Sequence, residues 1–308
     1  MQNLVIGTRG SQLARWQANW AKSTLEQRHP DLNVEIRIVS TRGDRILDVA
    51  LPKLGEQGKG LCTKELEDEM LAGQIDIAVH SLKDLPTEMT DGLHIAAISE
   101  REDVRDALVA APGITSLAEL KRGASVGTSS LRRQSQIRAV RPDLLLDPVR
   151  GNVDTRISKV DQGAFDAVIL ASAGLRRLRR EDRITEYLSV DVVLPAVGQG
   201  ALGIQTRADD ARVNSFAKSL DDEASRLACL AERAFLKALG GGCLVPIAAH
   251  ATIENTAMTI SGLVASVDGA QMIRGTHSGQ SDRPEEVGAA LAEDLLRRGA
   301  GRLLAQAS

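Results

Sequence analysis

The chain has 308 residues, 43% of them hydrophobic and 26% charged, with a formal net charge of −3. That length leaves room for two or three domains and a sizeable core, and the slight acidity removes any global pull toward nucleic acid or an anionic membrane. Aromatic residues make up 2%, too few for the stacking platforms that hold single-stranded nucleic acid, and no apolar run approaches the ~20 residues that span a bilayer.

The first residues, Met1-Gln2-Asn3-Leu4, lead into Val5-Ile6-Gly7-Thr8-Arg9-Gly10-Ser11. No basic segment followed by an apolar one occurs there, so we expect no secretion signal. The stretch reads as an apolar strand entering a Gly/Thr/Ser turn, and Leu13, Trp16 and Trp20 continue as the apolar face of a helix. Further on, Lys53-Leu54-Gly55-Glu56-Gln57-Gly58-Lys59-Gly60-Leu61 is glycine-rich with two lysines but lacks the GxxxxGK[ST] spacing of a phosphate loop. We read it as a mobile loop of the kind that forms lids.

Gly73-Gln74-Ile75-Asp76-Ile77-Ala78-Val79 is a second strand, followed directly by His80-Ser81-Leu82-Lys83-Asp84-Leu85-Pro86. Ligands of open α/β sheets sit at the carboxyl ends of strands, and Asp84 is the only acid in that segment. Its carboxylate is suited to exchanging a proton with a substrate amine or to stabilising a developing cation. A surface pair of Asp84 with Lys83 in a turn accounts for the same spacing. His80 has no partner at metal-ligand spacing, and we expect no metal.

Ser125-Val126-Gly127-Thr128-Ser129-Ser130 repeats the N-terminal pattern, with Leu131, Ile137 and Val140 as the helix face. Gly163-Ala164-Phe165-Asp166-Ala167-Val168-Ile169-Leu170 repeats the Gly-x-x-Asp strand. Short strands alternating with helical patterns predict an α/β fold of two lobes with largely parallel sheets. A cleft between two such lobes is a favoured ligand site.

The second lobe is basic although the chain is acidic. Residues 132–183 hold 11 Arg and 1 Lys against 7 acids, a balance of +5. Arg132 and Arg133 fall in a helix first turn, Arg150 precedes Gly151-Asn152, Arg156 follows it, and Arg176 and Arg177 come after a glycine. The guanidinium fork matches carboxylate or phosphate oxygens in pairs. Thr128, Ser129 and Ser130 add hydroxyls and backbone N–H groups at a helix N-terminus, which attracts anions. A solvated helix face suffices for Arg179, Arg180 and Arg183. Arg132, Arg133, Arg150 and Arg156 lie beside Gly/Ser/Asn turns, and there we expect a ligand role.

Leu194-Pro195-Ala196-Val197-Gly198-Gln199-Gly200-Ala201-Leu202-Gly203-Ile204 reads as a crossover back to the first lobe. From about residue 221 the character changes. A helix over 224–239 leads to Gly240-Gly241-Gly242-Cys243-Leu244-Val245-Pro246, alternating segments follow at 248–253 and 258–264, and a last helix covers 284–298. This predicts a small α+β third domain. The three glycines leave space around the Cys243 sulfur and place it to be reached. A buried cysteine beside a helix cap fits the same local pattern. The cysteines at 62, 229 and 243 are 167 and 14 residues apart, which excludes a CxxC site, argues against a disulfide framework and fits a reducing cytoplasm. Cys229, inside the helical segment, reads as structural.

Taken together and in order, these segments resemble the hydroxymethylbilane synthase (porphobilinogen deaminase) family over nearly the whole chain. The matching stretches are Gly7-Thr8-Arg9-Gly10-Ser11-Gln12-Leu13-Ala14, Thr41-Arg42-Gly43-Asp44, Lys64-Glu65-Leu66-Glu67, Ala78-Val79-His80-Ser81-Leu82-Lys83-Asp84 and Glu100-Arg101-Glu102-Asp103. They continue through Val126-Gly127-Thr128-Ser129-Ser130-Leu131-Arg132-Arg133, Arg150-Gly151-Asn152-Val153, Pro195-Ala196-Val197-Gly198-Gln199-Gly200 and Gly241-Gly242-Cys243.

The resemblance implies two lobes like those of periplasmic binding proteins, over 1–98 with 195–220 and over 99–194, and a small α+β domain over 221–308. It also implies head-to-tail condensation of four porphobilinogen molecules with loss of ammonia, giving linear hydroxymethylbilane on the route to haem. A covalent dipyrromethane cofactor, one per chain, would be held by a thioether to Cys243. Asp84 would be the central acid. Arg9, Ser11, Ser81, Lys83, Thr128, Ser129, Arg132, Arg133, Arg150, Arg156 and Arg177 would bind cofactor and substrate carboxylates. The family expectation is a cytoplasmic monomer acting on a small molecule, with no nucleic acid or membrane partner. Cys62 stands where the family usually has Phe and is a rival thiol, although the Gly-Gly-Cys setting favours Cys243. Two other readings compete: a non-enzymatic anion binder, and a thiol-dependent transferase, which would want a base near Cys243.

Overall fold

A computed structural model describes residues 2–40, 63–241 and 245–307. The expected loop at 53–61, the segment 41–44, Cys62 and Cys243 lie outside the described residues. The chain divides into two compact units, Met1–Arg101 with Ala201–Arg226, and Glu102–Gly200 with Leu227–Ser308.

Among the described residues, the first unit holds one five-stranded sheet. Its strands are β1 (Gln2–Thr8), β2 (Leu32–Ile38), β3 (Ile77–Ser81), β4 (Leu93–Ile98) and the late-arriving β10 (Leu202–Arg207). The order is β2-β1-β3-β10-β4. β1 runs parallel to β2 and β3, while β10 is antiparallel to both of its neighbours. The crossover expected at 194–204 thus delivers β10 to the first sheet. Helix α1 (Gln12–Arg28) begins at Ser11, whose Oγ accepts from the Ala14 N–H at 3.3 Å and satisfies one of the unpaired N–H groups of a helix start. It buries Ala18, Ala21 and Leu25 against Leu4, Ile6, Ile77 and Ile204.

The second unit repeats this plan. Its strands are β5 (Asp106–Ala110), β6 (Ser125–Gly127), β7 (Leu145–Asp147), β8 (Ala167–Ala171) and β9 (Glu186–Leu188), in the order β7-β6-β8-β5-β9. β6 is parallel to β7 and β8, and β5 is antiparallel to β8 and β9. The internal repeat read from the sequence is therefore a repeat of topology. The Gly-x-x-Asp motif has the same role in both. Asp76 accepts from the Val5 N–H at 2.9 Å and Asp166 from the Ser125 N–H at 2.7 Å, each pinning the strand beside its own. Gly73 and Gly163 precede them at φ +69° and +72°, a conformation that glycine adopts without steric cost.

The rest of the second unit is a three-stranded antiparallel meander of β11 (Ile247–Glu254), β12 (Ala257–Ala265) and β13 (Met272–Gln280). Phe235 from the helix Glu223–Ala238 and Leu291 and Leu295 from the helix Pro284–Arg297 pack on Met258 and Ile260. The expected strands at 248–253 and 258–264 and the expected last helix are all present. β13 has no counterpart among the expected elements.

Candidate functional site

In the first unit, β3 ends at Ser81 and the chain turns through a short 3₁₀ segment, Leu82–Asp84. Leu82 and Leu85 are buried, which anchors the turn, and Asp84 is exposed between them. A recess at this end of the sheet is lined by Arg9, Ser11, Gln17, Thr63, His80, Ser81 and Asp84 among others. Four residues named from the sequence, Arg9, Ser11, Ser81 and Asp84, are thus brought together. The turn after β1 supplies Arg9 and Ser11, and the end of β3 supplies Ser81 and Asp84. Gln17 donates from Nε2 to Ser81 Oγ at 2.8 Å and fixes that hydroxyl. His80 is buried, and its Nε2 lies 3.0 Å from Gln205 Oε1. Burial lowers its pKa to about 4, against the Gln205 hydrogen bond and Asp84, which raise it; Arg9 adds to the lowering. The imidazole is uncharged at neutral pH.

In the second unit, the turn between β6 and the helix Leu131–Val140 carries the polar run. Ser130 caps the helix, accepting from the Arg133 N–H at 3.4 Å. Ser129 Oγ donates to Val149 O at 2.9 Å, and Thr128 is buried with its N–H on Asp147 O at 2.8 Å. Arg132 and Arg133 converge on the fully buried Asp106 at the start of β5. Arg133 donates from Nε and Nη2 to Asp106 Oδ1 at 3.0 and 2.6 Å, and from Nη1 to Ile169 O at 2.8 Å. Arg132 Nη1 lies 2.8 Å from Asp106 Oδ2 but makes its hydrogen bond to Leu194 O at 2.6 Å. Gln199 Nε2 completes the set on Asp106 Oδ1 at 3.0 Å.

Burial by itself would raise the Asp106 carboxyl, and the two guanidiniums overcome it, holding the group far below the usual carboxylate range. Two cations on one anion leave a surplus positive charge beneath the surface, which costs free energy unless another anion approaches. Arg177 is also buried. Its Nη2 donates to Gly200 O at 2.6 Å, and burial lowers its pKa to about 10 against the field of Glu102, so it stays charged at neutral pH. Arg150 and Arg156 flank the turn that opens the helix Val153–Asp161, and Arg156 Nε donates to Gly151 O at 2.9 Å. Arg180 and Arg183 lie in the exposed pairs Arg180–Asp154 and Arg183–Asp161, the solvated surface expected of them.

Sequence reasoning missed Asp106, Gln199, Gln17, Gln205 and Glu67. For Asp106 a signal was present. An acid opening the apolar run Asp106-Ala107-Leu108-Val109 is carried inward with its strand, and a buried carboxylate requires cations. Cys229 is buried within its helix, and the turn toward Cys243 is a helix end closed by Gly240 at φ +63°, with the Gly241 N–H on Leu236 O at 3.1 Å.

A first lobe whose recess holds one carboxylate, Asp84, and a second lobe with buried guanidiniums describe an enzyme that handles charged substrates. The family model "Porphobilinogen deaminase, dipyromethane cofactor binding domain" matches residues 4–215, and "Porphobilinogen deaminase, C-terminal domain" matches residues 226–297. Among curated relatives, the porphobilinogen deaminase of Geobacter sulfurreducens is 51% identical over 306 residues, covering 99% of this chain and 95% of the relative. Those of Carboxydothermus hydrogenoformans and Brevibacillus brevis are 49% and 51% identical, each covering 98% of this chain and 96% of the relative. Among solved structures, a TRAP periplasmic solute binding protein from Desulfovibrio salexigens is 12% identical with a TM-score of 0.42, covering 71% of this chain and 72% of that one. The chain belongs to the porphobilinogen deaminase family.

Proposed function

We propose that this chain is a hydroxymethylbilane synthase, condensing four porphobilinogen molecules head to tail with loss of one ammonia each and releasing the linear tetrapyrrole. The observation that carries this reading is the buried surplus of positive charge at Arg132, Arg133 and Asp106 in a chain of this family. Porphobilinogen brings two carboxylates per ring, and a growing pyrrole chain needs such cations to hold them.

The same surplus fits the dipyrromethane cofactor, which bears carboxylates of its own. Cys243 would hold it through a thioether, and Arg132, Arg150, Arg156 and Arg177 with Ser129 and Thr128 would hold its acid groups. When bound, it supplies the pyrrole carbon from which the product grows. Arg133 serves the set from behind, because each of its three nitrogens already donates to a group inside the lobe. Arg9, Ser11, Ser81 and Lys83 orient the incoming substrate near Asp84. The Asp84 carboxylate faces the aminomethyl group, assists departure of ammonia and offsets the positive charge left on the substrate carbon. The three sheets support domains at 1–98 with 195–220, 99–194 and 221–308. We further propose a cytoplasmic monomer; among the described residues no helix is long and apolar enough to cross a membrane.

Incubating the purified protein with porphobilinogen should release ammonia and yield a product that cyclises to uroporphyrinogen I. Intact mass and peptide mapping should find two linked pyrrole units on the Cys243 peptide. No ammonia, together with no mass gain after adding porphobilinogen, would leave the chain as an anion binder.

A further inference from the structure

We infer that Glu67, acting through Gln205, fixes the single proton of His80 on Nε2, and that Glu67 and Gln205 are positioning residues for the Asp84 recess. The three side chains form a buried file across the first sheet. Glu67 lies on the helix Lys64–Leu71, Gln205 on β10 and His80 on β3, and their exposures are 7%, 0% and 7%. Thr90 Oγ1 donates to Glu67 Oε2 at 2.8 Å, Gln205 Nε2 donates to Glu67 Oε1 at 3.0 Å, and His80 Nε2 lies 3.0 Å from Gln205 Oε1.

The direction of the file follows from donor and acceptor inventory. A carboxylate has no proton to give, so the Gln205 amide must turn its NH₂ toward Glu67 and its oxygen toward His80. An amide oxygen only accepts, so the proton between them belongs to His80 Nε2. In a neutral imidazole Nδ1 then carries the lone pair. The reverse amide orientation would set two oxygens against each other in a buried place, at the cost of an unpaired polar group.

The groups that act on the imidazole are Gln205, Asp84 and Arg9. Burial outweighs the two that favour a second proton, and the ring brings no positive charge to the recess it shares with Asp84. An imidazolium there would compete with a cationic substrate for the Asp84 field. This last step rests on the proposed reaction; the proton assignment does not.

The test is long-range ¹H–¹⁵N NMR on ¹⁵N-histidine-labelled protein at neutral pH, with His80 assigned by the signals lost in His80→Gln. A protonated-type Nε2 and a lone-pair-type Nδ1 are expected. A proton on Nδ1, or two protons, overturns the assignment. In Glu67→Gln the new amide is able to donate, so Gln205 is released to rotate. His80 should then populate the other tautomer, and kcat should fall several-fold with KM for porphobilinogen moving less. Gln205→Met, which removes the acceptor, should shift the same signals and gives a second route if the first variant does not fold. Unmoved His80 signals in a folded variant, or moved signals with unchanged kcat, overturn the positioning role. A wild type with the expected tautomer that releases no ammonia sinks the reaction reading alone.

Discussion

The two α/β lobes share a backbone plan and differ in how they treat charge at its functional end. Each has a central strand, a serine-capped helix, an aspartate pinning the neighbouring strand and an antiparallel strand inserted next to the third parallel one. In the first lobe the interior polar file of Glu67, Gln205 and His80 leaves the imidazole neutral, and Asp84 is the one acid that lines the recess beside it. In the second, two guanidiniums and one carboxylate are buried together, with a surplus of positive charge. The backbone determines where a site lies; the side chains at equivalent strand ends determine whether it attracts a cation or an anion.

The largest effect should come from the first lobe. Asp84→Ala should lower kcat by roughly 10²–10⁴-fold, the usual contribution of a positioned proton donor or acceptor, while intact mass still shows the pyrrole adduct. A near-normal rate at saturating porphobilinogen would remove Asp84 from the chemistry. In the second lobe the damage should be structural. Asp106→Asn leaves two guanidiniums without their counter-charge, and breaking a buried pair costs about 3–5 kcal/mol, to be read from the urea midpoint. An unchanged midpoint would mean that the cluster tolerates the loss and that the contrast between the lobes is overstated.

Acid titration separates the lobes in a different way. The folded pKa of His80, about 4, lies below its unfolded value of 6.5. The unfolded chain therefore binds more protons across that window, and stability should decline as pH falls from about 6.5 toward about 4. The 2.5-unit difference corresponds to roughly 3 kcal/mol at 1.36 kcal/mol per unit. His80→Gln should flatten that part of the stability profile, and an unaltered slope would assign the acid sensitivity elsewhere. The smallest effects concern the shared motif. Asp76 also pairs with Arg207 at 3.0 Å, whereas Asp166 is exposed and accepts from the N–H and Oγ of Ser125. Asp76→Ala should cost about 1.5–3 kcal/mol, the range for hydrogen bonds to charged groups, and Asp166→Ala less than about 1 kcal/mol. Equal losses would contradict the difference in burial.

Much of this was legible in the sequence because it is local. A strand running into Gly-Thr-Arg-Gly-Ser, or into Gly-Thr-Ser-Ser, fixes a turn and a helix cap within a few residues, so Ser11, Thr128 and Ser129 fell where expected. The end of β3 placed Asp84 for the same reason. The cluster around Asp106 was not legible, since Asp106, which Arg132 and Arg133 pair with, and Gln199, which bonds Asp106, lie 26 and 67 residues from Arg132 and come together only after the sheet closes. Glu67, Gln205 and His80 show the same limit. Their file crosses a helix and two strands, and nothing in the spacing of 67, 80 and 205 marks it.

The late strand β10 also has a bearing on how the protein is made. It lies between β3 and β4, so β4 joins the first sheet only through a segment that begins at Leu202. All five strands of the second lobe, from Asp106 to Leu188, leave the ribosome before it. Domains tend to fold as units during synthesis, and pairings between distant segments are slow to form. The lobe that starts first therefore finishes second. The Asp84 turn, whose Leu82 N–H rests on Ala201 O at 3.0 Å, takes its final form only when the chain doubles back, and a ribosome pause near residue 200 would leave the nascent protein with its cation-rich half built and its acidic half waiting.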